Sequence, residues 1–498
     1  MRFYKFLVYI FIISILILST FNYESYSYSK SILQNNFYTM DKDYIYKLSS
    51  NGVEIIKINK FKNMRRENLI KEELLNGKIH IFKDKLFISG IKNENNNSYL
   101  NVIVYDIYDK KNPIKLSEVT VDGNDYLLKE KDGVLYLLSK GTNEKINIVS
   151  VDLNKEKISL RTHEFSGNEV DFMYLSPENL YILCRDDVLD KKSTILHKLH
   201  IDRDILTYVD KISFNGFVLN DSFINEEGNF LRILSLEDNQ NKMYIFNNGL
   251  KIEKSIDINS EGSNINTVYF DGDICYISTF MKNSHLYIYD LNINEPREIG
   301  KIKNSSSIDH ILKLNEEKIL LIGNENRIDT YKNLNTHMVY ELLKNVGIKI
   351  TVLDIKDKAS PIIFDEYLIR GKQVYSPLLL NGNSFLYLED KNVLAIPLDI
   401  TNYNSDMDVN SAMEVGFNIY GNIISNYEKI FNGVYVFDID DESGIDLKFI
   451  VNNQKEFEKF QYKDTEHMNI LDDKIFIFTK DCVKVFDFGG VSLGEYTF

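Results

Sequence analysis

The sequence predicts an all-β chain of β-propeller type, a wheel of four-stranded blades. Three observations carry that expectation. Short apolar strands recur at a period of roughly 45 residues, the spacing of propeller blades. Helical periodicity is nearly absent past the N-terminus. Tyr and Phe supply 62 ring-bearing residues while Trp is absent and Pro falls to 6. That mixture suits pleated, half-buried surfaces.

The chain opens on a separate element. Arg2 and Lys5 precede an apolar stretch from Phe6 to Phe21. A positive lead before a short apolar run is the pattern of an export signal. The run is about 16 residues, short of the ~20 that span a bilayer. No Ala-x-Ala follows, and Ser25-Tyr26-Ser27 is the nearest small-x-small triplet. Residues 1–27 therefore read as a signal peptide or an uncleaved N-terminal membrane anchor, and 28–40 as a linker. Residues 41–498 read as one propeller domain. The expected location is secreted or cell-surface.

The repeat is anchored on the first strong strand of each unit. The anchors are Ile45, Phe87, Tyr136, Tyr181, Leu231, Tyr276, Leu320, Leu386 and Phe476. The first seven lie 42, 49, 45, 50, 45 and 44 residues apart. Many propellers close by joining strands from both chain ends in one blade. Merging the first and last units in that way gives eight blades, with seven or nine as the alternatives.

A shared phrase ends the middle of several units. Val104-Tyr105-Asp106 runs on to Pro113, Tyr287-Ile288-Tyr289-Asp290 to Pro296, and Val352-Leu353-Asp354 to Pro361. The Asp can accept backbone N–H bonds and start a turn. The Pro cannot donate to a ladder and marks the start of an edge strand. These aspartates read as turn-formers. Insertions at 324–346 and 401–430 break the period and are the first place to look for specific function. Met338 to Lys344 carries the clearest helical period.

The net charge of −15 argues against a nucleic-acid role, because phosphates repel an acidic surface. The basic run Lys60, Lys62, Arg65 and Arg66 reads as a solvated loop. Cys184, Cys275 and Cys482 are far apart and odd in number, so no zinc spacing exists. Cys184 and Cys275 read as strand core.

Catalytic patterns are sparse. Gly490-Val491-Ser492-Leu493-Gly494 matches a hydrolase elbow, but no His follows it. His197 and His200, three apart on a strand, point to opposite faces. Two acidic loops carry oxygen ligands at alternate positions, as calcium requires. They are Asp406, Asp408 and Asn410, and Asp438, Asp440 and Glu442. Neither has the Gly and Glu of a full EF-hand. Calcium is the one cofactor considered, and none is otherwise expected.

Several phrases together resemble the secreted bacterial proteins that carry a C-terminal β-propeller domain. The longest stretch is Gly347 to Asp357 with Ser360-Pro361 and Leu394-Ala395-Ile396-Pro397-Leu398. A second joins His197-Lys198, Tyr208, Gly216 to Asn220, Glu226, Gly228 and Leu231-Arg232. Asp43 to Tyr46 and Asn432 to Val436 add two more. The chain departs from the family at Asn381 to Phe385, where a charged phrase is usual. The resemblance implies a propeller fold and an exported location, and it implies no activity.

The expected function is a non-catalytic binding or scaffolding module. Its loop rim would recognise a protein, a peptide or a cell-wall polymer. Membrane contact would come only through an uncleaved N-terminal segment. The alternatives are a propeller hydrolase or lyase with its site at the central channel, and a structural envelope component.

Overall fold

The computed structural model describes residues 37–498 apart from 60, 62, 95–96, 141–144, 167–169, 189–190, 238–239, 262, 281–283, 305, 333–338, 372, 377–385, 404–426 and 453–464. The export segment and the loop of Asp406, Asp408 and Asn410 lie outside the described residues, as does Asn381 to Phe385. Among the described residues no helix is long and apolar enough to cross a membrane.

Nine antiparallel sheets form nine blades, each from consecutive strands. The first blade comprises Tyr38–Met40, Tyr44–Ser49, Gly52–Ile58 and Met64–Ile70. The ninth comprises Thr465–Leu471, Lys474–Thr479, Cys482–Asp487 and Ser492–Thr497. Nine is among the counts the sequence left open. The preference for eight rested on a shared closing blade, whereas the first and last described strands complete separate sheets. Tyr38–Met40 also places the first strand inside the stretch read as linker.

Eight anchors fall on the second strand of their blade. The preceding, innermost strand mixes apolar residues with polar ones such as Lys78, His80, Lys129 and Glu130 and gives a weaker apolar signal. Leu386 is the exception. It lies on Leu386–Leu388, a fifth strand of the eighth blade that pairs with Val393–Tyr403.

The core lies between blades, because both faces of each sheet must be covered. Its clusters form a closed circuit. One joins the first and second blades through Tyr46, Ile55, Leu86 and Ile103. Others continue pairwise around the wheel, and one large cluster spans the fourth to sixth blades. The circuit closes where Tyr38, Ile45 and Ile56 pack on Phe476, Phe478 and Val485. At this seam Tyr38 Oη donates to Thr479 O at 3.0 Å, and Lys47 Nζ to Lys480 O at 3.0 Å. Side chains, not a shared strand, close the ring.

Antiparallel pairing within every blade divides the loops between two faces. Turns joining second to third strands share one face with the crossovers between blades. Turns joining first to second and third to fourth strands share the other. The turn aspartates sit on the latter and act as expected. Asp106 Oδ1 accepts Tyr108 N at 2.8 Å, Asp290 Oδ1 accepts Asn292 N at 2.9 Å, and Asp354 Oδ1 accepts Lys356 N at 2.9 Å. Pro113, Pro296 and Pro361 each directly precede an outer strand.

Both insertions lengthen second-to-third hairpins and so leave the crossover face side by side. In the seventh blade Lys318–Lys332 pairs with Val339–Asp354 out to Lys332 and Val339. In the eighth, Val393–Tyr403 pairs with Tyr427–Asp440 out to Tyr403 and Tyr427. The helical expectation at Met338 to Lys344 is corrected, since Val339 onward is strand. A seven-residue window is too short for the two periods to separate.

Candidate functional site

A repeated irregularity marks the channel mouth on the crossover face. Near its start, the innermost strand of several blades holds one residue too many for its partner. The register slips across Asp171 in the fourth blade, Asn266 in the sixth, Asp309 in the seventh and Glu466 in the ninth. In the second blade Asn76 and Gly77 lie in the slip. A bulge bends the strand and re-aims a side chain. Each of these residues lies ten or eleven positions before its blade's anchor. The same spacing reaches Asp125 in the third blade and Asp221 in the fifth. The outcome is a recurrent acidic or amide position around the mouth.

Asp309 is the most elaborated member. Its carboxylate accepts Asn266 Nδ2 from the sixth blade at 3.0 Å and Asn324 Nδ2 at 3.2 Å. Asn345 in turn donates to Asn324 Oδ1, so the network roots the seventh-blade hairpin. Gly323 permits the close approach, because a Cβ there would meet Ser307 O at 1.6 Å. Burial lifts the Asp309 carboxyl to about 6 against the pull of its amide and hydroxyl donors.

The sign of the linkage follows. Between pH 4 and 6 the folded chain holds a proton that the unfolded chain has released. Stability therefore falls as pH rises through that window, by ~3 kcal/mol in all. Asp309→Asn mimics the protonated form and is expected to remove this slope, read as a higher urea midpoint at pH 7 with little change at pH 4.5.

Other ring members are paired. Asp171 Oδ1 accepts Arg185 Nη2 at 2.8 Å. Asp221, in the 3-10 turn Asp221–Phe223, is bonded by Lys129 Nζ of the third blade. That strut bridges the third and fifth blades past the fourth.

The residues singled out from sequence fall elsewhere. Asp440 Oδ1 accepts Glu442 N and Ser443 N, both at 2.8 Å, and so builds its own turn. Asp438 is bonded by Lys448 Nζ at 2.8 Å from each oxygen. Among the described residues no group of three His, Cys, Asp or Glu is placed to hold a metal. Ser492 is exposed at the start of an outer strand. His197 is buried with Nδ1 3.3 Å from Tyr208 Oη, whereas His200 is exposed. All three cysteines are buried and none forms a disulfide.

The phrase around Lys198 and Glu226 is an inter-blade clamp. The Glu226 carboxylate accepts Asn179 Nδ2 at 2.8 Å, Tyr181 Oη at 2.7 Å and Ser176 Oγ. Lys198 Nζ lies 4.0 Å away and donates to Asn248 O at 3.0 Å. Arg232 reaches Gly272 O at 2.6 Å and Asp273 in the sixth blade.

A family model described as a beta propeller domain matches residues 139–490. An uncharacterised protein of Archaeoglobus fulgidus is 23% identical over 230 residues, covering 45% of this chain. The chain spans about a third of that relative's length, at 34%. Among solved structures, Sqt1 of Chaetomium thermophilum aligns at 10% identity and a TM-score of 0.42, covering 81% of this chain and 92% of that one. AztD of Citrobacter koseri, in its apo form, aligns at 11% identity and a TM-score of 0.39, covering 83% and 94%.

Proposed function

This chain belongs to the beta propeller domain family, and on that premise we propose that it is an exported binding module whose crossover face receives a peptide segment of a partner protein. The single observation that carries this reading is the coincidence of two features on one face. The bulged polar ring surrounds the mouth there, and the two longest hairpins rise beside it from adjacent blades. An acidic surface of net charge −15 favours a cationic segment and steers it toward the protein. Export rests on Arg2, Lys5 and the apolar run to Phe21.

Replacing residues 327–344 with a two-residue Asn-Gly turn, which keeps Asn345 and its bond to Asn324, tests the reading. The hairpin ladder is retained below Glu325, so the thermal midpoint is expected to hold. Capture of a fluorescent octalysine peptide is expected to weaken at least about tenfold, a difference of ~1.4 kcal/mol. Capture equal to that of the intact chain would overturn the role of the hairpin. Secretion is tested by fractionating cells that express the full chain.

Asp309 supports a second reading as a hydrolase or lyase, because a carboxyl titrating near 6 suits general acid–base work. Its oxygens are already engaged by its own wall, which favours support of the hairpin over chemistry. Asp309→Asn separates the two. A catalytic role loses 10²-fold or more in turnover, whereas a supporting role leaves capture within about twofold.

A further inference from the structure

On the opposite face, between the first and second blades, lies a cleft of about 330 Å³ whose charge opposes that of the molecule. The first blade contributes Tyr44 at the start of its second strand, Lys57 near the end of its third, and Arg65 and Glu67 on its outer strand. The second blade contributes the turn Tyr108 to Lys111. That turn is pinned to the first blade, since Asn68 Nδ2 donates to Lys111 O at 2.7 Å.

The cations do not cancel evenly. Lys110 Nζ lies 3.8 Å from both Asp41 and Asp84 and is committed to them. Asp109 builds its own turn, accepting Lys111 N at 3.0 Å and Asn112 Nδ2 at 2.8 Å, and keeps its negative charge in the cleft. The remaining carboxylate is Glu67, whose side chain is only 6% exposed. It meets Arg65 Nε at 3.4 Å and Lys111 Nζ at 3.6 Å. Lys57 has no carboxylate partner among the described residues and lies 5.8 Å over the Tyr44 ring. Lys57, Arg65 and Lys111 thus stand against two carboxylates, Glu67 and Asp109, which leaves one positive charge in excess. Glu67 fixes the direction of two of them, and their heads stay open to solvent. Tyr108 stands beside them at 80% exposed.

We propose that this cleft binds a phosphate ester. An arginine fork with two ammonium groups suits a tetrahedral oxyanion. The single excess positive charge favours an anion such as a phosphate ester. The exposed Tyr108 ring supplies a surface for the organic body of the ester, and free phosphate cannot use it. This site is independent of the hairpin face, so either can fail alone.

Calorimetric titration of the full chain at low salt tests the site, with inorganic phosphate and phenyl phosphate as probes. Phenyl phosphate is expected to bind about tenfold more tightly than inorganic phosphate, the size of effect one ring contact gives. Lys57→Gln and Arg65→Gln are each expected to weaken both probes about tenfold, with the urea midpoint unchanged. Tyr108→Ala is expected to erase the preference for the ester. Equal binding of the two probes to the intact chain would contradict the ester and leave an oxyanion site only. Absence of binding by either probe at 20 mM (a ceiling of roughly −2.3 kcal/mol), or binding indifferent to Lys57→Gln, would overturn the site.

Discussion

Lowering the pH from 7 to 4 is expected to weaken the wheel on both sides of its first blade. Two imidazoles flank the first blade. His467 stacks on Tyr38 at 6.3 Å between centroids and lies 5.6 Å from Phe478. His80 occupies the innermost strand of the second blade. Burial lowers both to about 4 from an ordinary 6.5. An unfolded chain takes up these protons from pH 6.5 downward, and the folded chain resists until about pH 4. Stability is thus complete above pH 6.5 and is lost as pH falls through that window, by ~3 kcal/mol for each ring. Asp309 acts in the opposite sense and returns ~3 kcal/mol over pH 6 to 4. From these three groups the loss is ~3–4 kcal/mol, large against a total stability of ~5–15 kcal/mol. Urea midpoints at pH 7 and 4.5 check it. The double variant His80→Phe with His467→Phe is expected to lose the acid sensitivity. A wild-type midpoint unchanged between the two pH values would refute this account.

Glu226→Ala is expected to cost ~3–5 kcal/mol, the penalty of stranding a buried cation and its companions. Glu226 and Lys198 have side chains only 8% and 7% exposed. Removing the carboxylate leaves Asn179 Nδ2 and Tyr181 Oη without their acceptor, whereas Ser176 Oγ keeps Asn179 O at 3.1 Å. Lys198 keeps only Asn248 O and the Tyr181 ring, 5.7 Å away. Glu226→Gln keeps an acceptor and is expected to cost less than half as much. Thermal unfolding of the two variants checks the order. Equal midpoints for Glu226→Ala and wild type would show that the clamp is dispensable.

Much of the fold is legible in the residues because the second strands are the most apolar. Phe87, Tyr136, Tyr181, Tyr276 and Phe476 are fully buried and recur at blade spacing. The innermost strands are hidden by the polar residues that line the channel wall. Blade number was not legible for a different reason. Closure by Tyr38, Phe476 and Phe478 is ordinary core packing and carries no signature separate from any other blade interface. Leu386 misplaced the eighth anchor because an added strand, Leu386–Leu388, precedes the true second strand.

The candidate site was half legible. The insertions drew attention to the crossover face, since their lengths break the period. The polar ring went unseen although Asp171, Asn266 and Asp309 precede Tyr181, Tyr276 and Leu320 at a nearly constant distance. A single polar residue at a strand start reads as a turn. Only the partner strand reveals that it is a bulge. The acidic loop of Asp438, Asp440 and Glu442 shows the converse. Alternate oxygens suggest a ligand set, but Asp440 is occupied by its own backbone and Asp438 by Lys448.

Both candidate sites presuppose a nine-bladed wheel whose ends meet without exchanging strands. Spin labels at Asn51 and Lys480, exposed in hairpin turns of the first and ninth blades, test this most directly by pulsed dipolar spectroscopy at pH 7. A closed seam predicts one narrow, short distance that persists on dilution. A broad distribution extending across the molecule, or a distance that depends on protein concentration, would contradict it.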